Sequence, residues 1–292
     1  MEPKVYIDGT LYPKSEAKIN VFDHGLLYGD GVFEGIRVYS GRIFRFAEHM
    51  ERLYEGAEVI RLQIPLSRQK LEQAVVDTVK ANGMRDAYIR LVVTRGEGDL
   101  GIDPKKCSRS SIIIIVDKIQ LYDEKLYKEG IPIITASTRR ISPDMISQRV
   151  KSLNYLNNII AKMEANLAGV PESLMLSADG YVCECSADNI FIVKRGELLT
   201  PSPEFPILLG VTRAVVMEIA VRKGVPVREL PLTLHDVYVA DECFLTGTGA
   251  ELIPVISIDR RKIGSGKPGP VTGMLLEEFQ SLRNSEGTNL FA

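Results

Sequence analysis

Val150-Lys151-Ser152-Leu153-Asn154-Tyr155-Leu156-Asn157-Asn158 sets a lysine in an apolar, amide-rich run just ahead of a helical pattern. In that pattern Leu156, Ile159, Ile160, Met163 and Leu167 recur at 3.6-residue spacing before Gly169. The positive end of a helix dipole disfavours a lysine, so a lysine kept there suggests use rather than stability. A lysine in a surface loop is the plain alternative. An apolar surround suits either an amine kept neutral or one held as a Schiff base.

Working outward, β-branched and aromatic runs predict strands at 5–7, 36–39, 87–94, 111–117, 131–137, 174–176, 181–185, 190–193, 242–246 and 255–258. Helices are predicted on Phe46, Met50, Leu53, Ala57 and Ile60, from the Ser67 cap to Asn82-Gly83, over 211–223 before Gly224, and over 272–282. The polar stretch 118–130 has no clear apolar face. The division is therefore a small N-terminal domain over 1–117, a linker over 118–130 and a larger domain over 131–292. Strands and helices mix without a βαβ rhythm, which predicts two α+β domains with an active site between them.

The 292 residues suffice for about two domains and a sizeable core. A 45% hydrophobic and 25% charged composition is that of a folded globular protein. With 36 Lys and Arg against 38 Asp and Glu, no basic field draws the chain to nucleic acid or an anionic membrane. The longest apolar run, Ile112 to Val116, is far short of the ~20 residues a spanning helix needs, and Met1-Glu2-Pro3-Lys4 opens no signal peptide, so a cytoplasmic location is expected. Four cysteines make no disulfide scaffold and read as reduced. His24, His49 and His235 share no metal-ligand spacing, so no metal is expected.

Gly96-Glu97-Gly98-Asp99-Leu100-Gly101 matches G-x-G-x-x-G, but no helix start follows to hold a pyrophosphate, and a flexible loop is the reading. Leu209-Gly210-Val211-Thr212-Arg213 places a glycine, a hydroxyl and unpaired backbone N–H groups at a helix start, a geometry that binds phosphate. Gly247-Thr248-Gly249-Ala250 repeats the idea after a strand. Glu184, between Cys183 and Cys185, is a carboxylate in an apolar strand that needs either a partner or a solvated sheet face.

Together these segments resemble the fold-type IV (class IV) pyridoxal-phosphate enzymes, most closely the branched-chain aminotransferases. The likeness runs through residues 22–35, Glu48-His49-Met50-Glu51-Arg52-Leu53, Tyr88-Ile89-Arg90, 151–158, 184–191, 209–213 and 247–251. The resemblance implies an α+β two-domain fold, with a small N-terminal α/β domain, a larger C-terminal pseudo-barrel domain, and pyridoxal 5'-phosphate between them. It implies that Lys151 binds the cofactor covalently and carries a proton between substrate Cα and cofactor C4′. Glu184 would keep the pyridine nitrogen protonated, and Tyr155 would meet the phenolic oxygen. Arg52, Val211, Thr212 and Thr248 would hold the phosphate.

By the same resemblance, Tyr88 and the backbone of Thr248 and Gly249 take the substrate α-carboxylate. Tyr28, Phe33, Tyr155 and Tyr122 wall the side-chain pocket, and Arg90 meets the distal carboxylate of glutamate. Tyr28 and the loop at 100–102 are contributed across a subunit interface in relatives, which implies a homodimer acting on small amino acids and 2-oxo acids. The chain departs from its relatives in Gly249 for alanine, in Cys183 and Cys185 for Ser or Gly, in a four-residue Lys151–Tyr155 spacing, and in having no tryptophan. A D-amino-acid aminotransferase or an aminodeoxychorismate lyase would share the lysine, glutamate and phosphate cup but differ at the rim. Tyr88-Ile89-Arg90 with Tyr28 and Phe33 favours the branched-chain reading. A non-catalytic carrier of a phosphate ligand is the rival of another class.

Overall fold

The computed structural model describes residues 2–119 and 122–291. It divides into two compact units. The first takes residues up to Ile119 with Val150–Asn154 and the stretch from Arg283; the second takes Tyr155–Leu282 and the stretch ending at Arg149.

The first unit runs β1 (Lys4–Ile7), β2 (Thr10–Pro13), α1 (His24–Tyr28), β3 (Gly31–Tyr39), β4 (Arg42–Ile43), α2 (Phe46–Val59), α3 (Arg68–Asn82), β5 (Ala87–Thr94) and β6 (Ser111–Asp117). Its antiparallel sheet has the order β4-β3-β5-β6-β1-β2, and the short strand Thr288–Asn289 extends the β4 edge. Ile112, Ile114 and Val116 alternate inward on β6 and meet Ile89, Leu91 and Val93 of β5. Met50, Leu53 and Ala57 of α2 and Leu71, Val75 and Val79 of α3 close the same core. Ser67 caps α3 by accepting the Lys70 N–H, and Gly83 ends it in the left-handed conformation at φ 63°.

The second unit runs α4 (Glu124–Glu129), β7 (Ile131–Thr135), α5 (Leu156–Leu167), β8 (Glu172–Leu176), β9 (Val182–Cys185), β10 (Asn189–Lys194), β11 (Glu197–Pro201), α6 (Val211–Arg222), β12 (Val227–Leu230), α7 (Leu234–Tyr238), β13 (Glu242–Gly247), β14 (Glu251–Ile258) and α8 (Pro270–Ser285). The sheet order is β12-β11-β10-β13-β14-β7-β8-β9. It curls until the end strand β9 also touches β10 and β11, and Ile131, Leu174, Val182, Ile190, Leu245 and Ile253 fill the inside.

Three expectations change. The stretch read as a linker over 118–130 contains α4, which packs on β14; residues 120 and 121 lie outside the described residues. Val150–Asn154 and the residues from Arg283, placed by sequence in the larger domain, count with the first unit. The apolar stripe of α5 faces outward: Asn158, Ala161 and Ala165 are its buried residues, while Leu156, Ile159, Ile160, Met163 and Leu167 are exposed.

Candidate active site

In the first unit, Lys151 sits on a short extended segment held against β3. Phe33 N–H donates to the Lys151 carbonyl (2.9 Å), Leu153 N–H donates to the Gly31 carbonyl (3.0 Å), and Ser152 bridges Val32. Glycines make room for this approach. A Cβ on Gly31 would lie 2.7 Å from Leu153, and Gly29, at φ 70°, lies under the Asn154 amide that donates to its carbonyl. The lysine is thus fixed by strand pairing. The helix-dipole argument does not apply, because α5 begins five residues later and its dipole fades within a turn.

Phe33 anchors the next group. Lys151 Nζ lies 4.6 Å from the ring centroid and the Arg90 guanidinium 4.3 Å from it; Arg90 also lies 5.8 Å from the Tyr88 ring. Gly35 permits this, since a Cβ there would come 2.0 Å from the Tyr88 hydroxyl oxygen. Beside Phe33, the buried Glu34 accepts from Arg52 through Nε (2.7 Å) and Nη2 (2.8 Å) and from His49 Nδ1 (2.8 Å). Tyr28 stands on α1 edge-on to His24 at 4.9 Å, and its hydroxyl accepts the Gly101 N–H (2.9 Å).

That last bond belongs to the glycine-rich loop. A three-residue turn, Pro104–Lys106, follows in place of a phosphate-binding helix. The loop is also pinned. Gly96 carbonyl accepts from His24 N–H (2.9 Å) and Asp99 carbonyl meets His24 Nε2 (3.0 Å), which replaces the expected flexibility with a hydrogen-bonded anchor.

In the second unit, Glu184 is buried on β9, which removes the solvated-face reading. Arg140 Nη2 donates to its Oε1, while Asn189 Nδ2 (3.1 Å) and Leu208 N–H (2.9 Å) donate to Oε2. Arg140 Nη1 also donates to Asn158 Oδ1 (2.9 Å), whose amide in turn donates to the Ser186 carbonyl (2.7 Å). The inward amide face of α5 therefore orients the arginine that pairs with the glutamate. Tyr155 precedes α5 at its N-cap position without a side-chain cap bond.

Among the described residues no side-chain cap bond closes the start of α6: Gly210 is its N-cap, with buried Val211 and Thr212 following, so the first-turn N–H groups could hold an anion. A Cβ on Gly210 would strike Asn189 Oδ1 at 2.1 Å, so a larger residue there would displace the Asn189 amide that donates to Glu184. Thr248 and Gly249 form the β13–β14 turn, which Glu251 closes at φ 58°. A non-glycine residue held there costs roughly 1–2 kcal/mol, strain stored beside a candidate ligand loop. Tyr122 is packed edge-on to Tyr127 at 6.3 Å, and burial, with the Asp188 and Glu172 charges, pushes its phenol pKa well up.

The expected residues fall into two groups. Tyr28, Phe33, Arg52, Tyr88, Arg90 and Lys151 belong to the first unit; Tyr122, Tyr155, Glu184, Val211, Thr212, Thr248 and Gly249 belong to the second. Sequence reading assigned no role to Glu34, His49, Arg140, Asn158 or Asn189. All of them except Arg140 stood inside quoted segments. The signal available was a buried-strand acid near an i, i+3 His–Arg pair.

Residues 31–258 match the family model described as amino-transferase class IV. The chain is 48% identical over 288 residues, 99% of both chains, to a Methanocaldococcus jannaschii protein carrying the branched-chain-amino-acid aminotransferase name. A solved branched-chain amino acid aminotransferase of Escherichia coli is similar over 100% of this chain and 98% of that one, with TM-score 0.95 and 32% identity. The branched-chain amino acid aminotransferase of Thermobaculum terrenum, solved in its PLP-form, has TM-score 0.87 and 28% identity over 97% and 94% of the two chains.

Proposed function

This chain belongs to the class IV aminotransferases, and from that premise we propose that it moves amino groups between L-leucine, L-isoleucine or L-valine and 2-oxoglutarate, by a ping-pong mechanism on pyridoxal 5'-phosphate. Its α+β units are those of a fold-type IV enzyme. The observation that carries the reading is the Phe33 ring, which Lys151 Nζ and the Arg90 guanidinium both approach. One side chain there joins an amine, an apolar wall and a cation for a carboxylate.

The donor chemistry fits the cofactor, with a primary amine for its aldehyde, a buried carboxylate for its pyridine nitrogen, and a guanidinium and an uncapped helix start for its phosphate. When bound, pyridoxal 5'-phosphate supplies a carbonyl to take the amino group and a ring to delocalise the electron pair left at Cα. Lys151 would hold the cofactor through Nζ, and its free amine would carry the proton between substrate Cα and cofactor C4′. Glu184 holds the proton on the pyridine nitrogen; among the described residues Oε1 accepts from Arg140 alone, so a lone pair remains. Tyr155 donates to the phenolic oxygen. Arg52, the N–H groups of Val211 and Thr212, and the Thr248 hydroxyl hold the phosphate.

Tyr88 with the Thr248 and Gly249 backbone orients the α-carboxylate. Phe33, Tyr28, Tyr155 and Tyr122 exclude water around a branched alkyl chain, and Arg90 takes the distal carboxylate of glutamate. The outward apolar stripe of α5, with exposed Leu26, Leu100 and Ile102 on the first unit, supports a homodimer. Among the described residues no helix is long and apolar enough to cross a membrane, and we place the enzyme in the cytoplasm.

The deciding experiment measures L-leucine, L-isoleucine, L-valine and D-alanine as donors to 2-oxoglutarate with the purified holoenzyme. The L-branched donors are expected to dominate. A preference for D-alanine transfers the assignment to the D-amino-acid enzymes, and no transfer with any donor leaves the phosphate-carrier reading.

A further inference from the structure

Glu34 lies wholly buried on β3, beneath two basic side chains three residues apart on α2. Burial works to raise its pKa, yet the Arg52 charge and the His49 hydrogen bond hold it down at about 2, so it is a carboxylate and only accepts. His49 must then donate through Nδ1, which leaves Nε2 as the lone-pair nitrogen. His49 itself stays neutral. Burial depresses its pKa most, the Arg52 and Lys151 charges depress it further, and Glu34 offsets only part of this.

The Arg52 fork engages Glu34 through Nε and Nη2, so the guanidinium plane is fixed and the Nη1 edge turns away from the carboxylate. An apolar trio of similar volume would serve stability as well, because removing charges from water offsets most of what their pairing returns. The arrangement is better explained by what it does to Arg52.

We propose that Glu34 and His49 are positioning residues for phosphate binding, locking the Arg52 guanidinium so that its outer edge faces the cofactor phosphate. This rests on the reading of Arg52 as a phosphate ligand. Its consequence is selective: affinity for the phosphate depends on Glu34 and His49, and affinity for the rest of the cofactor does not.

Apoenzyme prepared from the holoenzyme is titrated with pyridoxal phosphate and, separately, with pyridoxal, which keeps the ring and aldehyde but lacks the phosphate. In Glu34→Gln the Kd for pyridoxal phosphate is expected to rise roughly 10- to 100-fold, the loss of one charge-assisted contact. The pyridoxal Kd should be unchanged, and the substitution should add nothing in an Arg52→Ala background. His49→Gln is expected to give a smaller loss of the same kind and carries the test if Glu34→Gln does not fold. Equal weakening of both ligands, or unchanged pyridoxal phosphate affinity in a folded variant, overturns the inference. Failure of the unsubstituted apoenzyme to bind pyridoxal phosphate overturns it together with the cofactor assignment.

Discussion

Asn158 and Leu167 lie on opposite sides of α5, and it is the asparagine that is buried while the leucine is 89% exposed. A helix that turns amides inward and an apolar stripe outward needs a cover for the stripe. Replacing Ile160 with Glu puts a charge into that cover and is expected to weaken self-association by at least ~10-fold. Sedimentation equilibrium of the holoenzyme reads this directly; an unchanged oligomer would place the contact elsewhere.

Lys151→Ala should leave the fold intact, since the residue meets β3 through its backbone. Transamination should fall by at least ~10²–10⁴-fold, the range lost with a positioned acid–base group. Borohydride should then no longer fix cofactor to the protein, as mass spectrometry of treated and untreated samples would reveal.

Breaking the Arg140–Glu184 pair from one side should be worse than removing it. Arg140→Met leaves a buried carboxylate unpaired, at a cost of about 3–5 kcal/mol. Adding Glu184→Gln should recover much of that stability without restoring activity, because the pyridine nitrogen loses its partner. Denaturant melts of the three variants, with single-turnover rates on L-leucine, separate the two effects.

Arg90→Leu should divide the half-reactions. Loss of a buried charge partner costs ~2–5 kcal/mol, so kcat/KM for 2-oxoglutarate should drop by tens to thousands of fold while that for leucine barely changes. Equal loss in both would mean that Arg90 serves the α-carboxylate.

Stability should fall on acidification in two stages. His49 has its folded pKa below the ordinary 6.5, so unfolded chains take up a proton first and stability declines as pH drops below about 6.5. Glu34 has its folded pKa held at about 2 against 4.5, so its contribution, about 3 kcal/mol, is present above pH 4.5 and lost towards pH 2. Urea midpoints between pH 7 and 3 measure both, and His49→Gln should remove the upper stage.

Much of the fold was legible because local pattern and burial agree. The strands β5 and β6 and the caps of α3 stand where the β-branched and aromatic runs and Ser67 and Gly83 put them. β2, β11, β12 and α7 went unread; they are four or five residues long and partly exposed, so no periodicity marks them. The stripe on α5 was legible as a helix but not as an outward face, since periodicity gives a direction and not what lies there. Arg140 was invisible because its partner is 44 residues away, and nothing in a linear pattern couples them.

The two returns of the chain to its first unit bear on synthesis. Val32 waits for Ser152, and β4 waits for Thr288 and Asn289, with Leu290 entering the core beside them. A nascent chain released through β6 therefore holds a sheet with open edges and part of its interior missing. The intervening segment can consolidate while those edges are still unsatisfied, which reverses the usual order of N-terminal units first. Until residues 151–153 leave the ribosome, the strand that carries Phe33 and Glu34 is exposed to mispairing, and the β4 edge stays open until Thr288 and Asn289 follow, so chaperone dependence should concentrate in those two intervals.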